Sequence, residues 1–118
     1  MEMFKDFTFD AAHLLPNVPV GHKCARLHGH TFNVTVEVQG PVEDRSGWIM
    51  DFGELKAIAG CVIDELDHQY LNELPDLDNP TSENIARWIW TRLTPGIAGL
   101  SAVTVRETCT AGVVYRGD

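Results

Sequence analysis

The segment Cys24-Ala25-Arg26-Leu27-His28-Gly29-His30 sets two imidazoles two residues apart, with a thiol four residues before the first. In an extended chain, residues i and i+2 point to the same face, so His28 and His30 can reach one ion. A third histidine, His13, ends an earlier strand-like run. A single histidine is more often a satisfied core or surface residue. Three of them, two on an alternating strand and one at another strand's end, form a donor set. Neutral imidazoles with no obvious fourth ligand describe an open, catalytic zinc site rather than a closed structural one. Zn²⁺ is the expected cofactor, although other first-row ions suit the same donors.

A free cysteine is usually a small buried apolar group. Cys24 instead lies in a polar loop between Lys23 and Arg26, and nearby cations favour a thiolate. It is a candidate base or nucleophile beside the metal. Cys61, within a helical pattern, reads as structural, and Cys109 has no assigned role. Asp67-His68 places a carboxylate beside an imidazole, a pairing that can fix the tautomer of a general acid/base. Adjacent Asp-His pairs also arise by chance, and sequence neighbours need not touch. Glu107 shares an apolar strand face with Val103 and Val105. A solvated strand-end glutamate is the ordinary reading. The functional one is a bidentate acceptor for the N–H/NH₂ edge of a guanidine-like heterocycle.

These residues need a scaffold. Met3 to His13 alternates, with Phe7, Phe9, Ala11 and His13 on one face and Asp6, Thr8 and Asp10 on the other. Residues 14–27 carry two prolines and Gly21 and predict an irregular loop. His28 to Gln39 alternates more strictly: His28, His30, Phe32, Val34, Val36 and Val38 make a dry face, and Thr31, Asn33, Thr35, Glu37 and Gln39 a wet one. Gly40-Pro41 ends this strand. Asp51-Phe-Gly-Glu54 predicts a capping box opening a helix with Leu55, Ile58, Ala59, Val62 and Leu66 on its stripe. A polar loop runs from Asn72 to Asn79. A second helix begins near Pro80-Thr81-Ser82, carries Ile85, Trp88, Ile89 and Leu93, and stops at Pro95-Gly96. Val103 to Cys109 returns to a strand, Thr110 to Gly112 predicts a turn, and Val113 to Arg116 runs extended. The order ββ-αα-ββ implies an α+β layer, a four-stranded antiparallel sheet with both helices on one face. Open edges and an uncovered wet face predict a homo-oligomer.

The chain has 118 residues, 44% of them apolar, and a formal net charge of −8. That length supports one domain over residues 1–118. The charge argues against a nucleic-acid partner. No apolar run reaches the ~18 residues of a membrane span, and the N-terminus lacks a signal peptide's apolar segment. Three irregularly spaced cysteines fit a reducing compartment, so a cytoplasmic location is expected.

Phe9-Asp-Ala-Ala-His13, Cys24-Ala-Arg-Leu-His28-Gly-His30, Trp48-Ile-Met-Asp51-Phe52, Leu66-Asp67-His68-Gln-Tyr-Leu-Asn72, Asn79-Pro-Thr-Ser-Glu83 and Glu107-Thr108-Cys109-Thr110 together carry a specific resemblance. Over nearly its whole length the chain resembles the 6-pyruvoyl-tetrahydropterin synthase superfamily, and within it the 6-carboxy-tetrahydropterin synthases of queuosine biosynthesis. The resemblance implies the tunnelling fold, in which trimers close a twelve-stranded barrel and two trimers stack as a hexamer with active sites at subunit interfaces. It implies Zn²⁺ on His13, His28 and His30, catalysis by Cys24, and an Asp67–His68 relay. Glu107 would anchor a pterin, with Thr81, Ser82 and Thr108 as further contacts. The implied substrate is 7,8-dihydroneopterin triphosphate, converted to 6-carboxy-5,6,7,8-tetrahydropterin, acetaldehyde and triphosphate. Lys23, Arg26 and Arg116 are the candidate cations for the triphosphate. The alternatives are a 6-pyruvoyl-forming enzyme, which eliminates triphosphate without cleaving the side chain, and a non-catalytic pterin or zinc binder.

Overall fold

In the computed structural model, which describes all 118 residues, the sheet is built from β1 (Glu2–His13), β2 (His28–Gln39), β3 (Leu100–Thr108) and β4 (Ala111–Tyr115). They pair antiparallel in the order β1-β2-β3-β4. Between β2 and β3 come α1 (Phe52–Asp64) and α2 (Ser82–Leu93). The order is the expected ββ-αα-ββ, and the fold is the expected four-stranded α+β layer.

Alternation decides which side is buried. Phe9, Ala11 and His13 on β1, Phe32 to Val38 at every second position on β2, and Val103 and Val105 on β3 turn into the core. Leu55, Ala59, Val62 and Ile63 of α1 and Ile85, Trp88, Ile89 and Leu93 of α2 cover them. Phe9 and Phe32 are opposite one another in the ladder and stack at 4.8 Å. This layer is the floor beneath the histidines. A one-residue slip between β1 and β2 would turn both that floor and the histidines of the shifted strand to the other face.

Several local expectations change. Asp51 does cap α1, but its carboxylate accepts from the Gly53 N–H at 3.0 Å, a simple cap at the second helical residue rather than one closed through Glu54. Leu66 lies beyond the end of α1 and is nonetheless fully buried. The loop between β1 and β2 contains a short 3₁₀ turn at Lys23–Ala25. Cys61 is exposed. Gly112 sits inside β4 rather than in the turn. A Cβ there would lie 2.7 Å from the Val105 carbonyl oxygen, so close approach of β3, not turn geometry, calls for glycine.

β1 and β4 are the sheet's edges. Part of the β1 edge is already covered by the stretch after α1. The His68 N–H donates to the Asp10 carbonyl at 2.6 Å, the Ala12 N–H to the Gln69 carbonyl at 3.0 Å, and Tyr70 bridges Ala12 in parallel. No helix is long and apolar enough to cross a membrane.

Candidate metal and pterin site

Register gathers the three histidines. His13 pairs with His28 across the ladder, and Ala11 pairs with His30. The three imidazoles therefore share the core-facing side at one end of the sheet. Their ring centroids lie 4.5 to 5.2 Å apart, edge to face. One nitrogen from each falls within 4.8 Å of the others. Phe32 supports His13 and His30 from below at 5.5 and 5.4 Å.

The rings are oriented by backbone carbonyls. His13 Nδ1 is 2.8 Å from the Pro80 carbonyl oxygen, and His28 Nδ1 is 2.7 Å from that of Arg26. An Nδ1–H that donates to a carbonyl leaves the Nε2 lone pair for a metal. The Nε2 atoms of His13 and His30 are buried without a hydrogen-bond partner. Burying such atoms unpaired is costly, and a shared cation satisfies both. Burial holds the pKa of His13 below the ordinary histidine value, against the smaller raising effects of the Pro80 carbonyl and Glu107. The neutral, ligating form is thereby favoured. The residues fit Zn²⁺ in the open, three-nitrogen mode.

Glu107 reaches this centre from β3. Its carboxylate oxygens lie 3.6 Å from His13 Nε2 and 4.0 Å from His30 Nε2. A ring held by Glu107 would lie beside the metal. Thr81 caps α2, its hydroxyl oxygen accepting the Asn84 N–H at 3.2 Å while its own O–H stays free to donate. Thr81 and Ser82 adjoin Pro80, the residue that orients His13. Thr108 is exposed and turned toward the β3–β4 connection, its hydroxyl oxygen 3.4 Å from the Thr110 nitrogen.

Cys24 is half-buried on the 3₁₀ turn. Its carbonyl accepts the Leu15 N–H at 2.8 Å and its own N–H donates to His22 Nδ1 at 3.0 Å, which ties the turn to the chain just past His13. The cluster of potential ligands is the three histidines without its sulfur. Lys23, Arg26 and Arg116 are all exposed.

Asp67 and His68 do touch: Asp67 Oδ1 is 3.1 Å from His68 Nδ1. The same oxygen accepts the Asp10 N–H at 3.0 Å. That backbone bond first, and His68 second, hold the Asp67 carboxyl below its ordinary pKa. His68 takes φ = 59°, a left-handed conformation unusual for a residue with a Cβ, and its side chain is 78% exposed. It borders an open cleft of about 600 Å³ whose lining includes Asp10, Thr31 and also His30. Asp10 and Thr31 belong to the polar face of the ladder, whereas His30 belongs to the core-facing one, so the cleft lies at the free edge of β1. The structure thus brings His13, His28, His30 and Glu107 together, and docks the Asp67–His68 pair along the free edge of β1 without contact to them. Sequence reading missed the Pro80 and Arg26 carbonyls and the docking role of Asp10. Backbone partners leave no residue-type signal, so nothing in the sequence pointed to them.

The sequence model of 6-pyruvoyl tetrahydropterin synthase matches residues 2–118. The chain is 44% identical over 119 residues to the 6-carboxy-5,6,7,8-tetrahydropterin synthase of Synechocystis, covering 96% of this chain and 91% of that one. It is 42% identical over 92 residues to a dihydroneopterin monophosphate aldolase of Pyrococcus furiosus, covering 78% of this chain and 74% of the relative. It is also 37% identical over 114 residues to the 6-pyruvoyl tetrahydrobiopterin synthase of Dictyostelium discoideum, covering 92% and 84%. Among solved structures, the 6-pyruvoyl tetrahydropterin synthase of Caenorhabditis elegans superposes with a TM-score of 0.92 at 28% identity, over 100% of this chain and 96% of that one.

Proposed function

The chain belongs to the 6-pyruvoyl tetrahydropterin synthase family, and from that premise we propose that it is a zinc-dependent carbon–carbon lyase of queuosine biosynthesis. It converts 7,8-dihydroneopterin triphosphate and one water to 6-carboxy-5,6,7,8-tetrahydropterin, acetaldehyde and triphosphate. The carboxy-forming outcome is favoured by the 44% identity to the Synechocystis enzyme along almost the whole chain. The metal reading is carried by the two buried Nε2 atoms that have no partner.

His13, His28 and His30 would hold Zn²⁺, which when bound supplies Lewis-acid polarisation of the substrate's side-chain hydroxyls. Glu107 accepts the N–H/NH₂ edge of the pterin and sets the ring beside the histidines, within reach of Thr81, Ser82 and Thr108. The Cys24 thiolate removes a proton from the side chain. His68, oriented by Asp67, moves the second proton. Lys23, Arg26 and Arg116 are the cations for the triphosphate in an otherwise acidic chain.

His68 is docked on the exposed edge of β1. It makes no contact with the histidines of its own chain and turns an exposed side chain outward, so the relay of a neighbouring copy would complete the site. The protein is a homo-oligomer, a trimer or a hexamer of single-domain chains covering residues 1–118, working in the cytoplasm.

A second reading, 6-pyruvoyl formation by triphosphate elimination, is favoured by the Dictyostelium relative. Incubating metal-loaded protein with dihydroneopterin triphosphate and measuring acetaldehyde separates the two. Stoichiometric acetaldehyde supports the lyase, and substrate consumed without acetaldehyde selects the second reading.

A further inference from the structure

Asn72 closes the Leu66–Asn72 motif and Asn84 follows the Asn79–Glu83 motif, and neither has a place in the chemistry above. Both are part-buried and both act next to His13. Asn72 Oδ1 accepts the Leu14 N–H at 3.0 Å, and its Nδ2 donates to the Leu14 carbonyl at 2.8 Å. One side-chain amide thus satisfies both backbone groups of the residue after His13. It extends the β1 edge ladder by one step, as another strand would.

Asn84 works on the imidazole instead. Its Nδ2 donates to the Asn79 carbonyl at 2.8 Å, and its backbone N–H donates to Thr81 Oγ1 at 3.2 Å. The Thr81 N–H donates to the same Asn79 carbonyl at 2.9 Å. These bonds bracket Pro80, whose carbonyl receives His13 Nδ1 at 2.8 Å. Proline has no N–H of its own, so this segment is held through its neighbours. His13 is fully buried, and water cannot replace a misplaced carbonyl there.

We propose that Asn72 and Asn84 are positioning residues of the metal centre, acting through His13. Asn72 fixes the backbone that leaves the ligand, and Asn84 fixes the carbonyl that selects its tautomer. The proposal rests on the reading of the three histidines as a metal site. Partners one step out from the ligands typically change metal affinity by 10- to 100-fold.

Asn72→Asp and Asn84→Asp keep side-chain shape and remove the donating amide. The Asn84 change also puts a carboxylate in the first turn of α2, where the helix dipole tolerates it. Each full-length variant is set against a chromophoric chelator for Zn²⁺ at fixed pH. Melting of the metal-free protein is measured alongside. Asn33→Asp, on the polar face, is the control. The expected result is a Zn²⁺ dissociation constant raised roughly 10-fold or more in each variant, with the control unchanged and the metal-free melting temperatures close to wild type. The His13 ring ¹⁵N shifts should also move away from the Nδ1-protonated form in Asn84→Asp. Folded variants with wild-type affinity overturn the proposal. If one variant does not fold, the other decides. Wild-type protein that takes up no Zn²⁺ sinks the metal reading itself, a different outcome from equal affinities.

Discussion

Asp10 and His13 stand three residues apart on β1 and hold two halves of the chemistry on different terms. His13 points into the core and joins His28 and His30 over Phe32, with its ring fixed by the Pro80 carbonyl. Asp10 lends only its backbone, receiving the Asp67–His68 segment along the strand's free edge. In the first region His13 is fully buried and His28 and His30 are half-buried. The second is exposed, with an imidazole that is paired to Asp67 and faces an open cleft. A ligand set needs fixed geometry before the ion arrives, and burial provides it. A proton relay that another copy would complete, as proposed, has to face outward. The difference between the two regions is thus a difference in where each finds its counterpart.

The largest effect should come from the histidine region. His28→Ala removes a ligand whose ring is set by the Arg26 carbonyl. Zinc stoichiometry should fall to near zero, and turnover by on the order of 10³-fold or more, the equivalent of losing several kcal/mol of charge stabilisation. Metal analysis beside the acetaldehyde assay reads both, and a variant that keeps its zinc and its turnover breaks the ligand assignment.

Cys24→Ala comes next. Its thiol lies outside the ligand cluster, so zinc content should stay at wild type while turnover drops about 10²- to 10⁴-fold, the range of a lost acid/base group. Unchanged turnover would remove Cys24 from the mechanism. His68→Ala should cost on the order of 10²-fold in turnover and leave both zinc content and melting temperature nearly untouched, because the side chain packs against little. A His68 variant that loses zinc would mean the two regions are not separate.

The smallest effect concerns pH. The folded Asp67 carboxyl titrates below its unfolded value, near 3.9, chiefly because the Asp10 N–H bonds its charged form. Its contribution to stability is therefore complete above about pH 4 and is lost as pH falls through the lower folded value. Asp67→Asn should flatten the acid side of the melting-temperature profile and change nothing at neutral pH. An equally steep acid limb in the variant would show that the carboxylate is not held by Asp10.

The histidine region was the legible one. Strict alternation from His28 to Val38 fixes the face of two ligands, and the run ending at His13 fixes the third. The helices were legible from their stripes, from Asp51 as a cap and from Pro80-Thr81-Ser82 as a helix start. The edge region was not. Asp67 and His68 could be paired from sequence, but their docking on Asp10 uses backbone groups and a left-handed residue, neither of which has a pattern. Gly112 shows the same limit: it reads as a turn residue, while the structure needs it for the approach of the Val105 carbonyl. Leu66 fits the α1 stripe, yet its burial is set by tertiary packing beyond the helix end.

The central claim is that the histidine half and the Asp67–His68 half meet between copies. It is tested by mixing two inactive proteins, His28→Ala and His68→Ala, unfolding and refolding them together with Zn²⁺, and assaying acetaldehyde. Each chain carries the half the other lacks, so random assembly should restore about one quarter of wild-type turnover, while each variant refolded alone stays inactive. Mixed oligomers that form and remain inactive would contradict the account, because both halves would then have to come from a single chain.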